Sequence, residues 1–439
     1  MNPGRALIVL LVIVGLAGSL IDGSPIYSSL LYVGLFLLAV NWLWAQVSIL
    51  WVRVDRQTRS LRANVGDIFE ERFEVSNNGR FPSLWMEVLN ESNLPGAAGS
   101  RVVTMLGPRQ KRSYVARTWL AQRGGFSLGP TILKSGDPFG LFGVSKRFES
   151  KQSLIVLPMI FDIAAFVPPA GLLPGGRAIQ RKALDVTPHA SGVREYVTGD
   201  PLKRIHWPTT VRRGQLMVKE FEQDPQAEVW LFLDAQKWVH VQKPYQMPET
   251  QMDTLFFGRR PRFQLPPSTL EYAISITASL ARYFISQRRA VGLVTAGGAF
   301  TIIPAERSVR QEGKILETLA FLDAEGRLPF AAVVTMQAKQ LPLGSSVILV
   351  TPSNLTEILI AVDDLQGRNL NPIVVYLNAE SFGARRETSP LPKLLAGRNV
   401  PVCQINCGDD LGRTLSTFAP AALSQDIHPW RKIKSIPLT

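Results

Sequence analysis

The residues with the most chemistry to offer lie between Gly192 and Phe221, in the run GVREYVTGDPLKRIHWPTTVRRGQLMVKEF. Arg194, Lys203, Arg204, Arg212, Arg213 and Lys219 surround a Gly199-Asp200 turn, with Tyr196, His206 and Trp207 among them and Glu220 near the end. Two roles fit this mixture. Guanidinium groups pair with carboxylates in a planar, two-pronged geometry, so Arg194, Arg204 and Arg212 are suited to buried pairs with Asp200 and Glu220. Trp207 would then fill core, and His206 would be a satisfied polar neighbour. In the other role the same arginines and Trp207 form an anion- or protein-docking surface, since Arg and Trp are enriched where interface energy concentrates. The two are not exclusive.

A metal-dependent hydrolase or nuclease would have to use Asp200, Glu220, Glu222 and Lys219 as a carboxylate-lysine set, but their order and spacing match no established motif. The run also lacks a nucleophile-base pair. No strand is followed by Gly-Lys-Ser/Thr, as a phosphate loop requires, and Gly-x-Ser-x-Gly is absent. No catalytic residue and no cofactor are expected.

Asp234 is the second candidate. It ends the apolar run Val229–Leu233, and in open α/β sheets ligands bind beyond the carboxyl ends of the strands. A metal-ion adhesion site there needs Asp-x-Ser-x-Ser, with a Thr and an Asp on later loops, because hard oxygens must surround the cation. This chain reads Asp234-Ala235-Gln236-Lys237-Trp238, and a later strand ends in Thr351-Pro352-Ser353 where an Asp is wanted. Trp238 has no oxygen to give and Lys237 adds a cation, so the site is expected to be degenerate and Asp234 to cap a loop or pair with a cation. Cys403 and Cys407 are the only cysteines, and the four histidines are scattered, so zinc is not expected either.

The elements that must position these residues are legible from periodicity. After Phe221, buried-type strands at Val229–Leu233, Val291–Val294, Val347–Val350, Ile373–Leu377 and Val400–Ile405 alternate with helical stripes. Ser268 with Glu271 forms a capping box for a helix carrying Leu270, Ala273, Ile274, Thr277, Ala281, Phe284 and Ile285. Ile315, Leu316 and Leu319 mark a second helix, and Leu355, Ile358, Leu359 and Val362 a third. This alternation predicts an α/β doubly wound, mostly parallel sheet. Lys237 to Pro267 is read as a long insertion, disordered or functional.

From Val54 to about Glu149 the period is two. Phe69, Phe73 and Val75 alternate with Glu70, Arg72 and Glu74, and Leu84, Met86 and Val88 form the inner face of the next strand. Val102–Leu106, Ser113–Leu120 and Ser127–Leu133 follow, so an all-β immunoglobulin-like sandwich is expected. Ser135–Phe142 closes it, with Phe139, Leu141 and Phe142 pinning the segment to a core.

Residues 1–52 are almost wholly apolar. Ala6–Ile21 and Ile26–Val52 flank an Asp22-Gly23-Ser24-Pro25 turn, and Trp42, Trp44 and Trp51 cluster toward the end, as at a headgroup layer. A signal peptide is the competing reading; a second apolar run follows at once and no small-residue cleavage site separates them. Arg5 before and Arg53, Arg56, Arg59 and Arg62 after place both ends in the cytoplasm under the positive-inside bias, with these four arginines near anionic lipid. The expected division is 1–52 transmembrane hairpin, 53–150 sandwich, 151–222 connector, 223–425 α/β domain and 426–439 basic tail. A net charge of +13 favours an anionic partner, whether membrane lipid, nucleic acid or an acidic protein surface, or else a solvated basic face; in the leading reading the partners are lipid and protein and no nucleic acid is expected.

The spacing Gly192-x-Arg194-Glu195-Tyr196, Gly199-Asp200, Arg204-Ile205-His206-Trp207, Arg212, Val218-Lys219-Glu220-Phe221 and Leu231-Phe232-Leu233-Asp234 resembles the bacterial domain of unknown function 58, as does Asp137-Pro138-Phe139-Gly140-Leu141-Phe142 upstream. The resemblance implies a membrane anchor and a von Willebrand A-like domain. It also implies partnership with a MoxR-type AAA+ ATPase and with transglutaminase-like proteins in an assembly system, with no established enzymatic activity. The expected role is therefore a non-enzymatic, membrane-anchored adaptor facing the cytoplasm. Metal-dependent hydrolysis or polyanion binding are the alternatives.

Overall fold

The computed structural model describes residues 3–150, 152–166, 190–196, 205–221, 228–245, 263–354, 356–384 and 391–418. The chain divides into two units. The first comprises 1–159, 245–265 and 316–321, and the second comprises the remainder.

In the first unit, α1 (Pro3–Ile21) and α2 (Pro25–Leu50) are antiparallel, turned by Gly23 at φ +60° and restarted by Pro25 at the head of α2. Both are long and apolar enough to cross a membrane. Their glycines let the backbones approach: a Cβ on Gly15 would lie 2.8 Å from the Leu31 amide nitrogen, and one on Gly34 2.6 Å from Val12 Cγ2. Small residues at such crossings are what apolar helices use to pack without a hydrophobic driving force.

Ten strands follow: β1 (Val52–Thr58), β2 (Arg62–Asn64), β3 (Ile68–Asn77), β4 (Ser83–Asn90), β5 (Arg101–Leu106), β6 (Lys111–Trp119), β7 (Gly124–Ser127), β8 (Thr131–Gly136), β9 (Gly143–Phe148) and β10 (Ser153–Leu157). Two antiparallel sheets, β1-β3-β6 and β5-β4-β8-β9, share one core of Val54, Phe73, Val75, Met86, Val88, Leu106 and Leu133. A third sheet, β2-β10-β7, pairs β10 parallel to β2 and antiparallel to β7.

The sequence expectation for this unit needs three corrections. The stretch Ser127–Leu133 is two strands, because Gly129 takes φ +103° and Pro130 has no N–H to offer a ladder. Glu71 is in phase with Phe69, Phe73 and Val75 and is fully buried. Its partner is Arg56, also buried, so Arg56 is not a lipid-facing cation. Finally, Leu141 is buried but Phe139 is 70% exposed, so only part of that segment is pinned to a core.

The second unit contains β11 (Ala190–Glu195), α3 (Trp207–Arg213), β12 (Met217–Phe221), β13 (Val229–Leu233), α4 (Thr269–Ser286), β14 (Val291–Ala296), β15 (Phe300–Glu306), α5 (Val309–Ala320), α6 (Phe330–Ala338), β16 (Ser346–Thr351), α7 (Glu357–Gly367), β17 (Asn371–Leu377), α8 (Leu391–Ala396), β18 (Val402–Ile405) and α9 (Leu411–Thr417). The turns of α5 from Leu316 onward group with the first unit. Six strands form one sheet in the order β15-β14-β13-β16-β17-β18, parallel throughout except for β15, which returns antiparallel along β14. Trp230, Phe232, Val347, Leu349 and Val374 pack against α6, α7 and α8. The alternate residues, Leu231 and Ile348 among them, are equally buried and face the other way, where α4 lies against β13 and β16.

The α4 stripe is buried as its period requires, through Ala273, Ile274, Thr277, Ala281, Phe284 and Ile285. Its start is as expected but the capping box is not formed: Ser268 is the N-cap residue and makes no side-chain cap bond. Thr269 instead turns its hydroxyl to the incoming loop, accepting the Val241 amide at 2.9 Å.

Candidate functional site

The strand order reverses direction between β13 and β16, which are hydrogen-bonded neighbours far apart in sequence. Such a switch point leaves a crevice beyond the carboxyl ends of the two strands. Asp234 follows β13 there and Thr351 ends β16. Asp234 is 1% exposed. Its Oδ1 accepts the Gln236 amide at 3.0 Å, and its Oδ2 accepts the Thr351 hydroxyl at 2.6 Å. Thr351 Oγ1 in turn accepts the Ser353 amide at 3.0 Å, which commits its proton to Asp234. Burial pushes the Asp234 carboxyl up to about 6, against the two hydrogen bonds that favour the anion.

His240 closes this arrangement from the loop. Its Nε2 donates to the Asp234 carbonyl at 2.9 Å, and its Nδ1 lies 3.1 Å from Thr269 Oγ1. Since a carbonyl only accepts, Nε2 carries a proton in either charge state. Burial lowers the imidazole to about 4, so above that pH Nδ1 is the acceptor and the Thr269 hydroxyl donates to it. Gly326 fixes the neighbouring backbone by accepting the Lys237 amide and donating to the Ala235 carbonyl, both at 2.9 Å. A Cβ on Gly326 would meet the Ala235 carbonyl oxygen at 2.7 Å and the Ala296 carbonyl oxygen closer still.

This geometry lets the carboxyl keep its proton to a higher pH than an ordinary aspartate, up to about 6. Both carboxylate oxygens of Asp234 are already engaged by protein donors, and among the described residues no group of three or more His, Cys, Asp or Glu is placed to hold a metal ion. Lys237 and Trp238 are exposed beside it, with the ammonium 5.6 Å from the indole centroid. Thr351 stands where the sequence wanted a carboxylate, and it serves Asp234 as a donor instead. His240 and Thr269 join the site through the fold, from a loop and a helix start. The signal for His240 was its place six residues past Asp234, on the loop that must cross the strand end.

The charged run from Gly192 folds as a two-stranded antiparallel ladder with a helical insertion. In register, Arg194 pairs with Val218, Val193 with Lys219 and Gly192 with Glu220. Ile205 bridges Val218 from the other side, and Ile205, Met217 and Val218 are buried. The Tyr196 amide donates to the Leu216 carbonyl at 2.8 Å. His206 caps α3: its carbonyl accepts from Thr209 and Thr210, while its Nδ1 sits 2.7 Å from the Thr209 hydroxyl. Pro208 suits the first turn, and Gly214 at φ +66° ends the helix. Thr210 Oγ1 accepts the Met217 amide at 3.0 Å, tying α3 to β12.

No residue of α3 is buried. Trp207 does not fill core: it is 62% exposed, and Val211, one turn on, is 80% exposed. Arg212 and Arg213 are exposed in the last turn, where cations suit the helix dipole. Gly199, Asp200 and Arg204 lie outside the described residues, as do the side chains of Arg194, Lys219 and Glu220. The expected pairing of these arginines and carboxylates, and the hydrolase reading built on Asp200 and Glu220, therefore fall there too.

Residues 192–242, which contain the α3 ladder, β13 and Asp234, match the model of a family described as protein of unknown function DUF58. The chain is 23% identical over 334 residues to an uncharacterized protein, YeaD, of Bacillus subtilis (strain 168), covering 73% of this chain and 75% of that one. Among solved structures, the CARDB domain of the PF1109 protein from Pyrococcus furiosus aligns at 14% identity, over 24% of this chain and 91% of that one, with a TM-score of 0.18. A GH20 exo β-N-acetylglucosaminidase from Vibrio harveyi aligns at 10% identity, over 75% and 57%, also with a TM-score of 0.18.

Proposed function

We propose that this chain is a membrane-anchored adaptor of the DUF58 type, without catalytic activity of its own, whose α3 ladder docks a protein partner on the cytoplasmic side. The unit bearing β13 is read as a von Willebrand A-like domain and the two-sheet unit as immunoglobulin-like. Strand order and the acidic residue at the end of β13 support the first reading; two antiparallel sheets over one core support the second. One observation carries the docking role. Trp207 and Val211 share a helix face and stand in solvent, while the ladder beneath them is anchored by buried Ile205, Met217 and Val218. An exposed Trp beside Arg212 and Arg213, on a helix tied to the ladder through Thr210, suits an acidic protein surface, because few residues yield more energy on burial at an interface.

By resemblance, the partner is a MoxR-type AAA+ ATPase, with a transglutaminase-like protein as a further member of the assembly. The test is co-purification of the tagged chain from membranes after chemical crosslinking. An AAA+ ATPase recovered with the wild-type chain and lost with Trp207→Ser, at unchanged membrane integration, supports the proposal. Its failure to appear under crosslinking contradicts it. The Asp234 site is read as taking no divalent cation; calorimetric binding of Mg²⁺ or Mn²⁺ that disappears in Asp234→Ala would overturn this.

A further inference from the structure

The loop Asp137–Phe142 is framed from within by a buried carboxylate. Asp137 is fully buried, and its carboxylate accepts the amides of Phe139 at 2.9 Å and Phe142 at 2.5 Å. Gly140, at φ +68°, donates its amide to the Asp137 carbonyl at 3.2 Å. The indole of Trp85 donates to the same carbonyl at 3.5 Å. This frame buries Leu141 and leaves Phe139 exposed at the tip. An exposed aromatic on a mobile loop is unremarkable, whereas one presented by a buried carboxylate is a built feature.

The neighbours of Leu141 and Phe142 show where along the helices the loop lies. Gly15 meets Leu31 and Gly34 meets Val12, and the same antiparallel register sets Gly4 level with about Trp42. The last turns of α2 therefore run on past the start of α1. There Ala45, Ser48 and Ile49 are buried, and Ser48 Oγ lies 3.2 Å from Ser135 Oγ at the end of β8. From β8 the loop runs back along the helices: Leu141 Cδ2 is 3.3 Å from where a Cβ on Gly4 would stand, and the Arg5 guanidinium lies 5.1 Å from the Phe142 centroid. The loop thus reaches the level where α1 begins and where Trp42 faces outward, 54% exposed. Aromatic rings beside an Arg at the ends of apolar helices are the composition of a headgroup layer.

We infer that Asp137–Phe142 is an interfacial wedge that seats Phe139 in the headgroup layer of the bilayer crossed by α1 and α2. The loop makes a third point of membrane contact besides the two helices, and so restrains the tilt of the two-sheet unit on its anchor. The inference rests on reading α1 and α2 as membrane spans, and the test separates the two.

Phe139→Cys in a Cys407→Ser background, labelled with a nitrobenzoxadiazole fluorophore, is reconstituted as the full chain into phosphatidylcholine–phosphatidylglycerol vesicles. Cys403 stays, because burial pushes its thiol up to about 12 and keeps it unreactive. The labelled protein should float with the vesicles, emit severalfold more strongly than a Lys237→Cys label, and be quenched by lipids spin-labelled near the headgroup. A chain that floats but whose 139 label is quenched only by aqueous iodide overturns the wedge and leaves the spans standing. A chain that does not float overturns both. Pro138→Cys repeats the measurement one residue away with Phe139 itself in place.

Discussion

Thr351 donates its hydroxyl proton to Oδ2 of Asp234 across 2.6 Å, joining the ends of two strands that are neighbours in the sheet but distant in sequence. Removing that hydroxyl without changing shape isolates the bond. Thr351→Val should destabilise the second unit by about 1–3 kcal/mol, because a buried carboxyl loses its donor. It should also raise the Asp234 pKa beyond about 6, since the Thr351 bond favours the anion. Thr351→Ser should restore both. Carbon-detected NMR titration of the Asp234 carboxyl, with denaturant unfolding alongside, measures the pair.

The pH response of this site follows from two opposed shifts. Between the ordinary aspartate value and about 6, native Asp234 keeps a proton that the unfolded chain has released, so stability falls as pH rises through that window. His240 acts in reverse: between about 4 and the ordinary histidine value the unfolded chain holds a proton that the native ring lacks, so stability rises with pH. Each effect is about 3 kcal/mol, and together they nearly cancel. Hydrogen exchange of β13 and β16 amides, corrected for intrinsic rates, should therefore report little change in opening free energy between about pH 4.5 and about pH 6.5. In His240→Gln the protection should fall with rising pH, and in Asp234→Asn it should rise.

In the first unit, the Arg56–Glu71 pair lies inside the core it helps to build. Glu71 is fully buried, its pKa raised by burial against the opposing pull of Arg56, and the Arg56 guanidinium lies 5.3 Å from the Phe73 centroid. Arg56→Met alone leaves a buried carboxylate without its partner and should cost about 3–5 kcal/mol. The double variant Arg56→Met/Glu71→Leu should recover most of that loss. Thermal unfolding of the four proteins of this cycle checks the non-additivity.

Glu71 also shows where the sequence was readable and where reading stopped. Its place two residues from both Phe69 and Phe73 marks an inward position by period alone, yet a glutamate is taken for a surface residue until its partner is seen. The apolar strands β13, β14, β16 and β17 were legible because strands buried on both faces tolerate little else. The edge strand β15 was not: it alternates exposed Phe300 and Ile302 with half-buried neighbours, and pairs with β14 on one side only. Asp234 was found from the end of its strand, but its partners Thr351 and His240 come from across the switch point and from a loop, and their meeting is a property of topology. For Trp207 the sequence left core and surface both open, because composition does not distinguish a seven-residue helix lying on a ladder from one packed within a domain.

The docking surface on α3 is the central claim, and crosslinking from within it is the most direct measurement. A photoreactive benzoylphenylalanine at Val211, 80% exposed and one turn from Trp207, reports only what touches that face. In intact cells it should trap one protein, an AAA+ ATPase, and Trp207→Ser in the same chain should weaken that association by about 30-fold, as loss of a 2 kcal/mol interface anchor would. A label at Val211 that captures only lipid or nothing, while a label elsewhere in the chain captures the ATPase, would contradict the account.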